Sequence, residues 1–193
     1  MQIISHFSCY ENLPIRLQDV ADHVTQETDV DVLLRAAVDV SPKILQGTYR
    51  QYRIMPPYSD RGGHMVGEVL YSKHLGPFDA RLTQCKEMLH AFDTAGERAA
   101  EVEEVERLAR DIIIPFDLLI KMNGEPSSHV ISDQAKIYPA IAVLLPGAFL
   151  DAVRPSYEAG HVSVSQIAKY AQVPSAYVRF ALRPEWGEIV SHF

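Results

Sequence analysis

A strand that leads directly into an amphipathic helix constrains the fold of this chain more than any other feature. Residues 64–74 are rich in side chains that favour a pleated strand, among them Val66, Val69 and Leu70. Gly76-Pro77 ends this segment, and residues 79–92 then carry apolar side chains at helical spacing. The pair predicts an α+β fold in which a small antiparallel sheet packs against the helix that follows it.

The remainder of the chain is predicted to be mainly helical. Apolar side chains at helical spacing indicate amphipathic helices at 29–40 and 97–114. The first of these ends at Ser41-Pro42, because proline cannot continue a helix. Ser132-Asp133 can cap a further helix, and residues 163–182 are expected to form a closing pair of short helices.

Length and charge limit the classes of protein to which the chain can belong. The 193 residues fit one compact unit, and we expect residues 1–60 to pack on a core formed by residues 61–193. A net charge of −7 argues against a general nucleic-acid binder. No internal repeat or low-complexity segment is present.

Two further features predict a cytoplasmic protein. Cys9 and Cys85 are too few for a disulfide framework, which suits a reducing compartment. The longest apolar stretch, 140–145, is too short to span a bilayer, and residues 1–10 show no basic region followed by an apolar run. We therefore expect neither a membrane span nor a signal peptide.

Chemically active side chains lie along one face of the helix predicted at 79–92. Lys86, His90 and Asp93 are spaced at i, i+4 and i+7, and Glu87 lies three residues before His90. This spacing is typical of an exposed, salt-bridged helix face. It is also compatible with a site for acid–base or metal chemistry.

The segment from Arg81 to His90 resembles the ImmA/IrrE family of metallo-endopeptidases. In that family a strand leads into a helix with the pattern Arg-Phe-Thr-x-Ala-His-Glu-x-x-His, and here the arginine, threonine, glutamate and second histidine are present. Residues 142–146 and 164–182 are similar to the family's later segments, so the resemblance covers roughly 64–182. It implies a zincin-like core and a role in phage, mobile-element or stress regulation, in which active members cleave repressors.

One departure from the family pattern bears directly on activity. Lys86 stands where the family has the first of two metal-binding histidines. Two imidazoles at i and i+4 must meet one zinc ion, and a lysine ammonium has no lone pair to offer a metal. We expect Lys86 instead to make a charge-assisted hydrogen bond to a neighbouring carboxylate, with Glu87, Asp93 or Asp133 as the candidate partners.

The resemblance also assigns the other candidate site residues. Glu87 corresponds to the family's catalytic general base, and His90 to its second zinc ligand. Asp133 is the candidate for the acidic third ligand, and its alternative role is a helix N-cap. Asp93 and His129 are expected to line the site, and either is a candidate substitute ligand.

Three functions follow from these residues. The favoured one is a degenerate pseudo-peptidase that holds no cofactor and acts by binding another protein of the repressor or regulator type. The first alternative is an active zinc endopeptidase that uses a substitute ligand. The second is a DNA-binding regulator that acts through residues 163–183, where Val164 to Arg179 resembles a helix-turn-helix.

Overall fold

The computed structural model describes four stretches of the chain, residues 2–43, 45–55, 63–93 and 135–193. Within them the fold is α+β, with eight α-helices and one small sheet. The elements are α1 Gln2–Phe7, α2 Leu17–Thr28, β1 Val30–Ala37, β2 Gly47–Ile54, β3 His64–Ser72, α3 Pro77–Met88, a 3-10 turn Leu89–Phe92, α4 Ile137–Leu144, α5 Gly147–Glu158, α6 Val164–Ala171, α7 Ser175–Ala181 and α8 Trp186–Ser191. The helix predicted at 97–114 and the cap predicted at Ser132-Asp133 lie outside the described residues.

The sheet is mixed, so the prediction of an antiparallel sheet is wrong for one of its two pairings. The strand order is β1-β3-β2, with β3 in the middle. β2 runs antiparallel to β3, with Gly47 opposite Tyr71, whereas β1 runs parallel to β3, with Val30 opposite Met65. The sequence identified only β3, and the direction of its neighbours depends on how distant segments of the chain dock.

The helix predicted at 29–40 is wrong, because this segment is strand β1. Its apolar residues fit both patterns, since Val30, Leu33 and Leu34 lie at helical spacing while Val30, Val32 and Leu34 alternate. Asp29 ends α2 in the left-handed conformation, with φ of 56°, so the chain turns sharply there. Pairing along the whole length of β3 then selects the strand.

The strand predicted at 64–74 and the helix predicted at 79–92 are confirmed by β3 and by α3 with its 3-10 turn. The apolar stripe of this helix is fully buried at Cys85, Met88 and Leu89. It packs in one core with Val69 of β3 and with Phe7 of α1. Two N-terminal helices that the sequence analysis did not identify, α1 and α2, therefore help to build the core around α3.

The C-terminal half supplies the rest of the core. The predicted pair of short helices is confirmed as α6 and α7, and Ser163 begins α6 with a reciprocal capping box to Gln166. Among the described residues no single helix is long and apolar enough to cross a bilayer. Among these described helices, α4 and α5 satisfy the length and composition criteria only as a pair, and the angle between their axes is 74°.

Gly47 allows β2 to lie directly on α3. A Cβ atom at this position would lie 2.5 Å from Thr83 Cγ2 and 3.0 Å from Glu87 Cγ, and both side chains are buried. We therefore expect Gly47→Ala to lower the free energy of unfolding by about 1–3 kcal/mol through overpacking. Urea denaturation measures this change.

Gly187→Ala is the matched control for this prediction. Gly187 is inside α8, and a Cβ built on it has no atom within 4 Å apart from its chain neighbours and the backbone of its own helix. The substitution should leave stability unchanged or raise it slightly, because alanine favours a helix more than glycine does. Equal destabilisation by both substitutions would contradict the close packing of β2 on α3.

Candidate functional site

The structure places four of the six predicted site residues together at the end of α3. Lys86 and Glu87 lie in the last turn of the helix, His90 lies in the 3-10 turn, and Asp93 follows directly. The tight 3-10 turn keeps these four side chains within one short length of chain. The other two predicted residues, Asp133 and His129, lie outside the described residues.

Lys86 pairs with Glu87, as one of the three expected partners. The ammonium Nζ lies 3.0 Å from Glu87 Oε1, and the Glu87 side chain is only 2% exposed. The contact is an ion pair and not the expected hydrogen bond, since Oε1 has no hydrogen-bond partner of good geometry. The carboxylate that would serve as a general base therefore faces a fixed positive charge.

His90 lies between two acidic side chains. Its Nδ1 is 2.5 Å from Asp93 Oδ2, and its Nε2 is 3.8 Å from Glu87 Oε2. A carboxylate can only accept a hydrogen bond, so we assign the proton of this contact to Nδ1. Nε2 is then the ring nitrogen that faces Glu87.

Lys136 is a site residue that the sequence analysis missed. It lies immediately before α4, and its Nζ is 2.5 Å from Asp93 Oδ1. The residue is buried although it is a lysine, which is unusual unless the charge is paired. A lone lysine ahead of an apolar run carries no sequence pattern that indicates such a role.

These residues form a largely buried polar cluster, defined here as Lys86, Glu87, His90, Asp93 and Lys136, in which Lys86 and His90 are partly exposed. It contains two ammonium groups and two carboxylates, and its contacts run in series from Lys86 through Glu87, His90 and Asp93 to Lys136. Each charge has an opposite charge within ion-pair distance, which is the condition for stable burial of charged groups. The cluster also ties the end of α3 to the start of α4.

The charge of Asp93 is maintained by its neighbours. Burial by itself would raise the pKa of the carboxyl, but the hydrogen bond and charge of His90, followed by those of Lys136, outweigh this effect. The pKa of Asp93 therefore lies below its ordinary value, and Asp93 is anionic at neutral pH.

Strand β2 covers the cluster from the sheet side. The ring of Tyr49 stacks on His90, with the ring centroids 6.3 Å apart and the planes 25° from parallel. Gly47 lies against Glu87 Cγ, as described above. The sequence analysis did not identify β2 as a strand, so neither contact could be predicted.

Helix α7 approaches the cluster from the opposite end of the chain. Burial raises the pKa of Tyr177, the charge of Asp79 raises it further, and the ammonium of Lys86 partly opposes both. Val178 and Ala181 of the same helix are fully buried, whereas Arg179 is exposed. The helix-turn-helix-like pair therefore shares the hydrophobic core with α3, and its second helix contacts α4.

The described residues do not fit the zinc site that the family resemblance implies. A zinc centre of this kind needs two imidazoles and an acidic ligand. The ammonium of Lys86 replaces the first imidazole and contacts Glu87, and Asp93 is engaged by both His90 and Lys136. Within residues 2–43, 45–55, 63–93 and 135–193, no three His, Cys, Asp or Glu side chains are grouped so that they could hold a metal ion.

Comparison with known proteins adds no family or function to what these residues indicate. No protein-family model, no curated protein and no solved structure matches this chain.

Proposed function

We propose that this chain is a metal-free pseudo-peptidase of the ImmA/IrrE type that acts by binding another protein without cutting it. The observation that carries the proposal is the ion pair between Lys86 and the buried Glu87, with Nζ 3.0 Å from Oε1. It stands where the family's motif has a zinc-binding histidine beside the catalytic base.

The chemistry of the pair opposes hydrolysis. A general base must take a proton from water, and here Glu87 Oε1 lies 3.0 Å from the ammonium of Lys86, which occupies the place where that water would approach. The same positive charge repels a divalent cation from Nε2 of His90. Asp93 is a poor substitute ligand, because His90 and Lys136 already contact its two oxygen atoms.

The family resemblance supplies the type of partner. Active members cleave repressors. A member that has lost hydrolysis would leave the regulator intact and control it by remaining bound to it. We place this activity in the cytoplasm, because Cys9 and Cys85 are both free thiols, as is usual in a reducing compartment.

Metal analysis of the purified full chain tests the loss of the zinc site. Protein prepared without added metal should contain far less than one equivalent of zinc, and a chelator should leave its thermal midpoint unchanged. The protein should also leave casein and a purified repressor at full length when zinc is added. One tightly bound equivalent of zinc, with cleavage that a chelator stops, would establish the active peptidase instead.

Binding requires a separate measurement. Cross-linking in the native host, followed by mass spectrometry, should recover a regulator of the repressor type at full length. Recombinant versions of the two proteins should then form a stable complex by size-exclusion chromatography. Recovery of a regulator cut at one site, or failure of the purified pair to associate, would contradict the proposal.

A further inference from the structure

The sheet has a second face, away from the helices that the structure describes, that combines exposed apolar side chains with two fixed arginines. Side chains alternate along each strand, and Val32, Leu34 and Tyr49 pack towards the core together with Val69. The opposite positions form the other face, and we call six of them the outer sheet face: Leu33, Arg35, Arg50, Tyr52, Ile54 and Glu68. Asp31 and His64 lie beside them on the same face, with Asp31 Oδ2 3.8 Å from His64 Nε2. None of these six residues belongs to the hydrophobic core or its partly buried margin.

Apolar side chains on this face are open to solvent. Leu33 is 46% exposed, Tyr52 is 37% exposed and Ile54 is 41% exposed. The three lie on both edge strands, β1 and β2, on either side of the central strand β3. Among the described helices, those in most extensive contact with the sheet are α2 and α3, and their buried residues share the core with Val69.

A buried carboxylate in the central strand fixes the two arginines. Glu68 is only 1% exposed, although it lies on this otherwise open face. Arg35 Nη1 lies 3.1 Å from Glu68 Oε1, and Arg50 contacts Oε2 through both Nε and Nη2. The guanidinium of Arg50 also lies over the ring of Tyr52, 5.6 Å from its centroid.

The arginines remain available for binding after these contacts. Their side chains are 66% and 59% exposed, so the N–H groups turned away from Glu68 point to solvent. A guanidinium held in one rotamer loses less entropy when it binds a second carboxylate. Around Glu68, two arginines against one glutamate leave an excess of one positive charge. Asp31, on the same face, already has His64 Nε2 3.8 Å away.

We propose that the outer sheet face binds an acidic segment of a partner protein, in which Asp or Glu side chains alternate with large apolar ones. The carboxylates would accept hydrogen bonds from Arg35 and Arg50. The apolar side chains would cover Leu33, Tyr52 and Ile54. This inference rests on the proposed function, because it identifies the surface by which a non-cutting protein would hold its partner.

Charge distinguishes this partner from two other occupants. A second copy placed face to face would bring four guanidinium groups together. Both Glu68 carboxylates are already buried between their own arginines, which leaves Asp31 as the carboxylate of each copy that could receive them. A nucleic acid would gain two arginine contacts but would meet the aliphatic side chains of Leu33 and Ile54 and a chain of charge −7.

Selection from a displayed library of random peptides, about 12–16 residues long, tests this proposal on the full chain. Recovered peptides should be enriched in Asp and Glu together with Leu, Ile and aromatic residues. Fluorescence anisotropy with one recovered peptide then compares the parent with Leu33→Asp/Ile54→Asp, which should bind at least about tenfold more weakly. Both positions are exposed, so the variant should keep the parent's thermal midpoint.

A second variant removes the arginines without leaving a buried charge. Arg35→Gln/Arg50→Gln/Glu68→Gln neutralises the whole group and should also weaken binding at least about tenfold. Arg179→Gln/Arg183→Gln removes two arginines from the region of α7, where both are exposed, and should leave peptide affinity unchanged. Loss of binding in this control, or unchanged binding in both face variants, would overturn the proposal.

A photo-reactive benzoylphenylalanine at position 52 identifies the occupant directly. Cross-linking to the selected peptide supports the proposal, whereas cross-linking within the chain or to a second copy overturns it. Tighter binding of single-stranded RNA than of any peptide would overturn it as well. If the metal test succeeds and peptide binding fails, only this inference falls; if peptide binding succeeds and the chain binds zinc and cuts its partner, only the proposed function falls.

Discussion

Replacing Lys136 by methionine is expected to lower the free energy of unfolding by about 3–5 kcal/mol. The substitution keeps most of the apolar stem but removes the ammonium that lies 2.5 Å from Asp93 Oδ1. The Asp93 side chain is 2% exposed, so its charge cannot be solvated in place of the lost partner. Urea denaturation at neutral pH measures the change.

A double-mutant cycle separates the ion pair from general damage to the packing. Asp93→Asn should also be destabilising, because it leaves Lys136 buried without a counter-charge. The double variant should lose less free energy of unfolding than the sum of the losses in the two single variants, with a coupling energy of about 0.5–3 kcal/mol. Additive effects would show that the two groups do not interact.

Arg16→Met is the matched control, because it removes one partner of an ion pair that is exposed to solvent. Arg16 and Asp19 are also 2.5 Å apart, but the arginine side chain is 78% exposed. We expect no measurable loss of stability from this substitution, because water replaces an exposed partner. A large loss would contradict the argument that burial, rather than distance, determines the effect.

The destabilisation in Lys136→Met should depend on pH with a definite sign. The folded-state pKa of Asp93 lies below its ordinary value of about 3.9, so the ionised carboxylate stabilises the fold above that pH. This stabilisation is lost as the pH falls through the folded-state pKa. The difference between parent and variant should therefore be largest near neutrality and should shrink in acid.

Replacing Lys86 by histidine is expected to create a zinc response. A histidine at 86 would stand at i and i+4 with His90, whose Nδ1 is already held by Asp93 so that Nε2 faces Glu87. With zinc at 100–1,000 times its dissociation constant, binding would stabilise the fold by roughly 3–4 kcal/mol. The thermal midpoint should rise by about 6–16 °C for a chain of this size.

Controls locate the metal in this variant. The parent and Lys86→Gln should show no zinc-dependent rise, since neither supplies the first imidazole. Adding His90→Gln or Asp133→Ala to Lys86→His should abolish the response. A rise in the parent would contradict the pseudo-peptidase, and no rise in Lys86→His would mean that more than one ligand has been lost.

The sequence alone was sufficient to predict the secondary structure of segments whose residue pattern fits only one type of element. β3 ends at Ser72 and α3 begins at Pro77, and their apolar residues bury the faces that their spacing predicts. The tail pair α6 and α7 was equally clear, because Ser163 and Pro174 mark where the two helices begin. In these segments local preference and tertiary packing agree.

Candidate site residues close together in the sequence were also predictable. Lys86, Glu87, His90 and Asp93 lie within eight positions, so helical spacing alone brings them to one region. The contact between Lys86 and a carboxylate follows from charge, and Glu87 is the nearest acid. The family resemblance drew attention to these residues, but their contacts come from the structure.

The tertiary structure alone decided what depends on distant segments. Residues 30–37 fit a helix and a strand equally well, and only pairing with β3 makes them a strand. Tyr49 and Lys136 reach His90 and Asp93 across 41 and 43 positions of sequence, counted from their residue numbers. Such contacts depend on how the chain closes on itself, which local spacing does not encode, and the charge of a buried lysine becomes informative only once its burial is known.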